Sequence, residues 1–466
     1  MTTLVMKFGG SALGTVSALT QVFSIVVYEY KRWDRLLIVA SALDGVTDML
    51  LQAAHLAQID NQRGYRRIAA NLRTRHIALA DQLALGTQER NALHADINQL
   101  IFEMLEECQA VSSRPSTTLS PAVSDRIIGV GEKLAARIIA ALLRDNNLKG
   151  VAIDGTDVIV TDDVHGNATP LLDETLEQVN SHLLSMLEHQ IIPVVTGFIG
   201  ATVDGKTTTM GRGGSDYTAS VLAICTDAEE VWIWSDVDGM MSADPKENHE
   251  AQMIPEMSYD EVAELAYFGA RILHAKMVRP LQEHNIPMRI KNVYKPRQNG
   301  TLIHNAKVHS GRTIAVTSIS GIGLKANRSG SLSDVIGVVD KTLFETTGSH
   351  ADVMISSQSS AQSFLCFVVP LHAGGLEAVD AVREALNERL DSLKDSTFWT
   401  VEPIMVVTAI GENLNSHASL IAQILQKIEG IQPISIAQGP SQCSLSLIVS
   451  PLDAEDVLNR IHQLLV

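Results

Sequence analysis

The chain has 466 residues, 45% of them hydrophobic, and its 36 basic against 53 acidic residues give a formal net charge of −17. That length allows two or three domains with hydrophobic cores, and the acidic balance disfavours a nucleic acid or an anionic membrane as the main partner. The four cysteines are dispersed and form no C-x-x-C pair, which predicts no disulfide framework and no metal site. No apolar run reaches ~18 residues, so we predict no membrane span. Since no secretory signal is visible either, we predict a cytoplasmic protein.

Strands and helices alternate over the first part of the chain. Short apolar runs predict strands over residues 3–8, 36–41, 151–154, 191–198, 227–236 and 287–293. Helical patterns occupy residues 16–30, 46–110, 132–143, 258–268 and 270–283. Because apolar runs of this kind are typical of strands that are covered on both faces, the alternation predicts an α/β sandwich around a mainly parallel sheet.

A polar, turn-rich stretch over residues 294–300 marks a boundary, and the pattern after it repeats. Two passes of roughly 70 residues each predict two ferredoxin-like βαββαβ modules in tandem. We therefore predict a catalytic α/β domain over residues 1–300, a first small module over 301–398 and a second over 399–466.

The first segment that could carry chemistry is Lys7-Phe8-Gly9-Gly10-Ser11, at a predicted turn from strand to helix. The glycines let the backbone approach an anion closely, and the N–H groups of the following helix start favour negative charge. Lys7 adds a full positive charge, as phosphoryl transfer requires. A surface lysine before a plain Gly-Gly turn is the alternative interpretation.

The second segment is Gly211-Arg212-Gly213-Gly214-Ser215-Asp216, directly before a predicted helix that Ser215 or Asp216 could cap. Upstream of it, Gly200 to Thr207 matches the Walker A expression. A true P-loop runs from a strand directly into a helix at its lysine. Here Lys206 is followed by threonines and then glycines, which are poor helix starters. We therefore reject the P-loop and predict a hairpin turn at Asp204-Gly205.

The third segment, Ser235 to Lys246, follows a predicted buried strand. Ligands of open α/β sheets bind beyond the carboxyl ends of strands, so Asp236 could accept a hydrogen bond from a ribose hydroxyl and Met241 could cover a purine. Its acids do not match the spacing of a calcium loop, and two consecutive turns are the alternative. A fourth segment, Gly131-Glu132-Lys133, lies at a predicted helix start, where an acid is favourable with the helix dipole in any protein.

Together these segments resemble the aspartate kinase family of the amino acid kinase superfamily, over essentially the whole chain. Thr207–Asp216 is similar nearly letter for letter to the family's Thr-Thr-Thr-Leu-Gly-Arg-Gly-Gly-Ser-Asp, and Ser235–Lys246 resembles its nucleotide loop. Shorter similarities are Lys7–Gly10, Ser41–Thr47, Gly131-Glu132 and Phe268–His274. The chain departs from the family pattern at Ala12, Ala135, Ala136, Met241 and Arg271.

The resemblance implies a role for each matching residue. Lys7 would bridge the β- and γ-phosphates of ATP, and Asp216 would position Lys7 as the second catalytic residue. The implied substrate-binding residues are Ser41, Thr47, Glu132, Arg212 and Ser215. The implied nucleotide-binding residues are Lys7, Gly9, Gly10, Ser11, Ser235, Asp236, Met241, Lys246 and Arg271. Mg²⁺ would arrive with ATP and need few protein ligands.

The implied reaction converts ATP and L-aspartate into ADP and 4-phospho-L-aspartate, the first step towards lysine, threonine and methionine. The C-terminal repeat resembles tandem ACT domains, which implies a homodimer or homotetramer with lysine or threonine as an effector at the interface between ACT domains. Since the repeat reaches the C-terminus, we expect no fused homoserine dehydrogenase domain. Two rivals are another kinase of the superfamily, such as an acetylglutamate or uridylate kinase, and a non-catalytic amino-acid sensor; the first lacks a tandem ACT tail.

Overall fold

The computed structural model describes residues 1–113, 119–269, 275–306, 312–326, 332–348, 350, 353–369, 374–391 and 399–465. Its strands are β1 (Thr3–Phe8), β2 (Arg35–Ala40), β3 (Gly150–Ile153), β4 (Val160–Thr161), β5 (Ile192–Thr196), β6 (Ile199–Thr202), β7 (Thr207–Thr209), β8 (Glu230–Ser235), β9 (Glu256–Ser258), β10 (Met288–Asn292), β11 (Thr301–His304), β12 (Ala315–Ala326), β13 (Val353–Gln358), β14 (Ser363–Val368), β15 (Trp399–Ile410), β16 (Ser435–Gln438) and β17 (Ser444–Val449).

The helices are α1 (Val16–Tyr30), α2 (Val46–Gln58), α3 (Gln62–Gln82), α4 (Thr87–Ser112), α5 (Pro121–Ile128), α6 (Val130–Asp145), α7 (Leu172–His182), α8 (Leu184–Glu188), α9 (Gly214–Cys225), α10 (Tyr259–Tyr267), α11 (Ala275–Glu283), α12 (Leu332–Thr347), α13 (Gly375–Asp391), α14 (Ala418–Lys427) and α15 (Ala454–His462). The chain divides into two compact units, Met1–Met240 with Leu273–Asn305 and Met241–Ile272 with Ala306–Val466. No described helix has the length and apolar character needed to cross a membrane.

The first unit is built on a mainly parallel sheet, as the alternation of strands and helices predicts. Its strands run in the order β3-β5-β2-β1-β8-β10-β11, and the β10–β11 pair is antiparallel whereas the other pairs are parallel. All six residues of β1 are buried. Leu4, Met6 and Phe8 pack into one large core with residues of α1 and α6, and α9 contacts β1 and β8. Since side chains alternate along a strand, Lys7 lies on the opposite face from Phe8, and the unit has three layers.

Three central strands end at the same edge of this sheet. Phe8 lies opposite Ala40 of β2 and Trp234 of β8 in the parallel register. The residues that follow these strands therefore begin at one edge, where ligands of open α/β sheets bind. This is why segments far apart in sequence, at Gly9, Ser41 and Ser235, come near one another.

The second unit contains one antiparallel sheet, in the order β13-β14-β12-β15-β17-β16. Each C-terminal repeat has the order strand, helix, strand, strand, helix in the part that the structure describes. The predicted fourth strand of each repeat is not seen in the described residues. Instead the long strands β12 and β15, which begin the two repeats, pair from Ala315–Ile410 to Ala326–Trp399. The backbone hydrogen-bonding groups on the inner edge strand of each repeat are thus paired with those of the other repeat.

Residues 241–272 belong to the second compact unit, and the catalytic domain over residues 1–300 stays a prediction from the sequence. The side chain of Ala243 packs into a core formed with residues of both C-terminal repeats, including Val316 and Val407. Val316 also donates its backbone N–H to the carbonyl of Ser242 at 2.8 Å. The chain therefore leaves the first unit after β8, in the middle of the predicted nucleotide loop, and returns to it at α11.

Candidate active site

A cavity of about 360 Å³ opens at the edge where β1 and β2 end. Seven of the predicted site residues line it: Lys7, Gly10, Ser41, Thr47, Glu132, Ser215 and Asp216. Gly211 and Gly213, which flank Arg212, are also part of the wall. A larger cavity of about 870 Å³ lies between α1 and strands β8 and β10, but no predicted site residue lines it. The smaller cavity is therefore the candidate active site.

Lys7 and Asp216 form a close ion pair in this cavity. The Lys7 Nζ lies 2.6 Å from Asp216 Oδ1, and the two side chains are only 11% and 14% exposed. Lys7 comes from the buried strand β1, whereas Asp216 comes from the first turn of α9. Gly213 at the start of α9 has φ of +73°, a conformation that favours glycine. The glycines before Asp216 thus set the geometry that brings the carboxylate to Lys7.

The Gly9-Gly10 turn packs against the segment that follows β2. Gly9 donates its N–H to the Trp234 carbonyl at 3.0 Å. A Cβ on Gly10 would lie only 2.8 Å from the carbonyl oxygen of Ala42. Close backbone approach therefore requires glycine at position 10. The turn leads into a single 3-10 turn over Gly10–Ala12 rather than directly into the helix α1.

A shared carboxylate links the turn after β1 to the turn after β8. The hydroxyls of Ser11 and Ser235 both donate to Asp236 Oδ1 at 3.0 Å. The same turn is held from β10, because Asn292 Nδ2 donates to the Asp236 carbonyl at 3.1 Å. Ser11, Ser235 and Asp236 are thus brought together as a polar group at the sheet edge.

Asp238, Asn292 and Lys295 support the same turn, and none of them is among the predicted site residues. Asn292 Nδ2 and Lys295 Nζ each lie 2.6 Å from the Asp238 carboxylate. The Lys295 contact lowers the pKa of the Asp238 carboxyl below its ordinary value, and the Asn292 hydrogen bond adds to this effect. Two features of the sequence point to this contact: Asp238 lies in the turn after β8, and Lys295 lies in the polar turn after β10.

Glu132 is a buried acid with one uncommitted oxygen. Its side chain is 3% exposed, and Oε1 accepts the backbone N–H of Ala42 at 3.2 Å. Oε2 has no hydrogen-bond partner among the described residues. Burial raises the pKa of this carboxyl to about 8, although the hydrogen bonds and the charge of Lys7 act in the opposite direction. A buried acceptor without a donor is costly to the fold, and such a group points to a ligand.

Arg212 is exposed, and the structure gives its guanidinium no ion pair or hydrogen bond with any described residue. It lies between Gly211 and Gly213, whose φ values are +72° and +73°. Thr47, in the first turn of α2, and Ser41, just after β2, are both half-buried in the cavity wall. The arrangement leaves a fixed backbone around a guanidinium that is free to meet an anion.

The Walker A match at Gly200–Thr207 is a β-hairpin, as the sequence analysis predicted. Strands β6 and β7 pair in antiparallel orientation, and Gly205 donates its N–H to the Thr202 carbonyl at 2.8 Å. Gly205 has φ of +77°, and Lys206 is exposed. No helix begins at Lys206, so this segment lacks the geometry of a P-loop.

Of the predicted nucleotide residues that the structure describes, only Lys7 and Gly10 line the cavity, whereas Gly9, Ser11, Ser235 and Asp236 belong to the neighbouring turns of the first unit. Met241 and Lys246 lie in the second unit, where Met241 bridges to Met253 and Lys246 is exposed. Arg271 lies outside the described residues. Their predicted contacts with a nucleotide remain predictions.

A buried acid, Asp125 on α5, was also missed by the sequence analysis. It is 1% exposed and accepts hydrogen bonds from the Thr209 hydroxyl at 2.6 Å, from His165 Nδ1 at 2.8 Å and from the Gly166 N–H at 3.2 Å. Since a carboxylate only accepts, His165 carries its proton on Nδ1. In the sequence Asp125 stands between Ser124 and Arg126, so nothing in its local pattern marked it as a buried acid.

The chain was compared with known proteins. The model of the amino acid kinase family matches residues 2–292. Aspartokinase 3, chloroplastic, of Arabidopsis thaliana is 30% identical over 99% of this chain and 81% of its own length. The chloroplastic bifunctional aspartokinase/homoserine dehydrogenase 1 of the same plant is 28% identical over 98% of this chain, which spans about half (50%) of that relative's length.

Solved structures of E. coli aspartokinase III share the fold over the full length. Its R-state complex with aspartate and ADP superposes with a TM-score of 0.77, at 26% identity and covering 99% of both chains. Its T-state complex with lysine and aspartate gives a TM-score of 0.81, at 26% identity, over 99% of this chain and 98% of the other. The similarity includes the C-terminal sheet as well as the parallel one.

Proposed function

The chain belongs to the amino acid kinase family, and within it to the aspartokinases; from this premise we propose that it transfers the γ-phosphoryl group of ATP to the β-carboxylate of L-aspartate, giving ADP and 4-phospho-L-aspartate. One observation carries the proposal. The cavity beside the Lys7–Asp216 ion pair also contains Glu132, a buried acid with one oxygen unsatisfied among the described residues. A cation for phosphate thus lies in the same cavity as an anion for an ammonium group.

The phosphate side of the site is formed by Lys7 and the Gly9-Gly10 turn. Lys7 neutralises charge on the transferred group and on the leaving β-phosphate, which is the main task of a protein in phosphoryl transfer. Asp216 holds Lys7 in position through the 2.6 Å contact. Glycine at position 10 lets this turn pack against the segment after β2, so that its backbone faces the phosphates. Ser11, Ser235 and Asp236 extend the polar edge towards the ribose.

The substrate side is formed by groups that match both ends of an amino acid. Glu132 Oε2 accepts the substrate ammonium, which supplies the donor that this oxygen otherwise lacks among the described residues. Arg212 binds the α-carboxylate as a planar fork. Ser41, Thr47 and Ser215 offer hydroxyls along the wall. The β-carboxylate of aspartate is left to face the phosphates.

The described residues suit a magnesium ion that arrives with its nucleotide. Mg²⁺ keeps several waters and binds through phosphates and one or two carboxylates, so it needs no cage of protein ligands. No group of three His, Cys, Asp or Glu side chains in the described ranges could hold a metal by itself. The carboxylates of Asp216 and Asp236 lie on the side of the site where the phosphates would bind. When bound, the ion supplies charge neutralisation of the β- and γ-phosphates.

The transfer step needs no general base. A carboxyl group with an ordinary pKa is ionised at pH 7, so the substrate's β-carboxylate already carries the attacking electron pair. Its oxygen forms the new bond to the γ-phosphorus as the bond to the β-phosphate oxygen breaks, and ADP leaves. Lys7 holds the phosphoryl oxygens throughout, while Glu132 and Arg212 fix the attacking group in line.

We extend the proposal to regulation and assembly. The E. coli relative forms a complex with lysine, and its fold includes the C-terminal sheet. Lysine or threonine is thus the proposed effector of the two C-terminal repeats, which are proposed to be ACT domains that pair in a homodimer or homotetramer. The edge strand β16 supports pairing, since Ile436 on it is 44% exposed and Ile434 beside it is equally exposed. A step towards lysine, threonine and methionine and a cytoplasmic location remain predictions.

Release of ADP tests the activity. Purified protein with MgATP should release ADP only when L-aspartate is present, with L-glutamate, N-acetylglutamate and uridine monophosphate as controls. ADP release driven by one of the other acceptors would favour another kinase of the superfamily. If no acceptor drives release while lysine or threonine raises the melting temperature, the protein is an amino-acid sensor instead.

A further inference from the structure

The hairpin that carries Arg212 and the helix that carries Glu132 are connected through one buried side chain. Asp125 lies on α5, and α5 passes through Gly129 into α6, which holds Glu132 in its first turn. Asp125 Oδ1 accepts the hydroxyl of Thr209, the last residue of β7. The chain then continues from Thr209 through Met210 and Gly211 to Arg212.

The second carboxylate oxygen of Asp125 binds residues 165 and 166, which lie next to the loop that contains Arg212. Oδ2 accepts His165 Nδ1 at 2.8 Å and the Gly166 N–H at 3.2 Å. A Cβ on Gly211 would lie 3.0 Å from the Gly166 carbonyl oxygen, so residues 165–167 pack directly against the residue before Arg212. Both oxygens of the carboxylate therefore accept hydrogen bonds from segments next to the Arg212 loop, two from side chains and one from a backbone N–H.

The junction between α5 and α6 also abuts the hairpin. A Cβ on Gly129 would meet Ile199 of β6 at 2.7 Å, which leaves no room for a side chain there. The buried contacts at Asp125 and Gly129 thus hold the junction against both strands of the hairpin. Displacement of the hairpin would move Arg212 relative to Glu132.

We infer that Asp125 is a positioning residue that sets the spacing between the Arg212 guanidinium and the Glu132 carboxylate, and so the affinity for the amino-acid substrate. The inference rests on the proposed function, because it assigns these two groups to opposite ends of aspartate. Asp125 does not line the cavity or contact the nucleotide segments at β1 and β8. Its loss therefore weakens aspartate binding and leaves ATP binding unchanged.

Thr209 allows a sharp test, because its neighbour provides a matched control. Thr209→Val removes the hydroxyl that reaches Asp125, whereas Thr209→Ser keeps it. Thr208 is also buried, and its hydroxyl pairs with that of Thr161 at 2.7 Å instead of with Asp125. Thr208→Val therefore removes one buried hydrogen bond from the same strand without touching the Asp125 contacts. His165→Ala provides a milder variant, since His165 is half-buried.

We expect Thr209→Val to raise the KM for aspartate about tenfold, since a displacement of ~1 Å near a reacting group can cost up to ~10²-fold. The KM for ATP should stay within about twofold. Thr209→Ser and Thr208→Val should keep both KM values near those of the unmodified protein, and His165→Ala should raise the KM for aspartate by a smaller factor. Equal effects of Thr209→Val and Thr208→Val, or equal effects on both substrates, would overturn the inference.

Amide hydrogen exchange separates this inference from the proposed function. If the unmodified protein does not phosphorylate aspartate, the proposed function fails, but the positioning role can still be measured. Peptides covering residues 163–168 and 210–214 should exchange faster in Thr209→Val than in Thr208→Val. Equal exchange in the two variants would contradict the positioning role whatever the activity.

Discussion

The Lys7 ammonium and the Asp216 carboxylate lie 2.6 Å apart, at the end of the central strand β1 and in the first turn of α9. The two residues are far apart in sequence, and the contact joins the sheet to the glycine-rich loop. Because both side chains are largely buried, the pair is less screened than a surface ion pair. The contact thereby fixes the Lys7 side chain at the edge where nucleotide phosphates would lie.

Lys7→Met should lower turnover by about 10²–10³-fold or more, as the loss of one preorganised donor to transition-state charge does in other enzymes. The far-UV circular dichroism should be unchanged, with a melting temperature lowered by the unpaired Asp216. Lys206→Met is the matched control, because Lys206 is an exposed residue of the hairpin turn. Near-normal turnover in Lys7→Met, or a similar loss in Lys206→Met, would remove Lys7 from the mechanism.

Aspartate use should depend on pH through Glu132. Burial raises the pKa of this carboxyl to about 8, so much of it is protonated at pH 7 in the free protein. An ammonium group needs the ionised form, and kcat/KM for aspartate should therefore rise as the pH increases from 6.5 to 8.5. Glu132→Gln should raise the KM and abolish this rise. A pH profile that is the same in both proteins would contradict the role of Glu132.

Glu132 should also make the fold less stable as the pH rises. Its folded pKa of about 8 lies above the ordinary value of 4.5, so the folded state binds the proton more tightly than the unfolded state. Stability is then lost between about pH 4.5 and 8. Glu132→Gln should melt several degrees higher than the unmodified protein at pH 8.5, since ~1 kcal/mol shifts Tm by about 2–4 °C in a domain of 150–250 residues. The difference should shrink at pH 5; a lower Tm at pH 8.5 would contradict the assignment.

Arg212→Ala should separate binding from stability. Loss of a charge-assisted hydrogen-bond pair costs about 1.5–3 kcal/mol, so the KM for aspartate should rise about 10–100-fold. The Tm should hardly change, because Arg212 is exposed and has no partner among the described residues. Arg212→Lys should be intermediate, since it keeps the charge but not the fork. An unchanged KM in Arg212→Ala would exclude Arg212 from the substrate site.

Gly10→Ala should destabilise the protein by about 1–3 kcal/mol, because overpacking against a fixed backbone has that cost. Its Cβ would lie 2.8 Å from the Ala42 carbonyl oxygen. Gly9→Ala is the control for folding, since its Cβ would make an ordinary 3.4 Å contact with the Trp234 carbonyl oxygen. Urea denaturation compares the two variants. Equal stability would mean that the turn can shift to accept a side chain at position 10.

The sequence predicted the parallel sheet and much of the cavity because both follow from local patterns. Buried strands appear as apolar runs, and the residues that follow them meet at one edge through the parallel register. Lys7 was selected as a cation beside a glycine turn, whereas the roles of Glu132 and Asp216 were implied only by the family resemblance. The sequence also distinguished the hairpin at Lys206 from a P-loop, because three threonines and then glycines cannot begin a good helix.

The rest depended on tertiary contacts that leave little trace in one sequence. The strand β12 runs without interruption from Ala315 to Ala326, although it contains Gly321 and Gly323. A Cβ on Gly321 would meet the Phe367 carbonyl oxygen at 2.5 Å, so this glycine allows close strand packing and does not end the strand. Likewise, the helical pattern over 46–110 is three helices, and Asp125 gains its partners only when α5 meets β7.

The most direct test of the account is the identity of the product trapped by hydroxylamine. An acyl phosphate formed on a side-chain carboxylate reacts with hydroxylamine to give a hydroxamate, which forms a coloured complex with iron(III). With MgATP and hydroxylamine, the protein should convert L-aspartate, but not L-glutamate, to the β-hydroxamate, at a rate that falls steeply in Lys7→Met. Formation of glutamyl hydroxamate in place of aspartyl hydroxamate, or of neither, would contradict the proposed function.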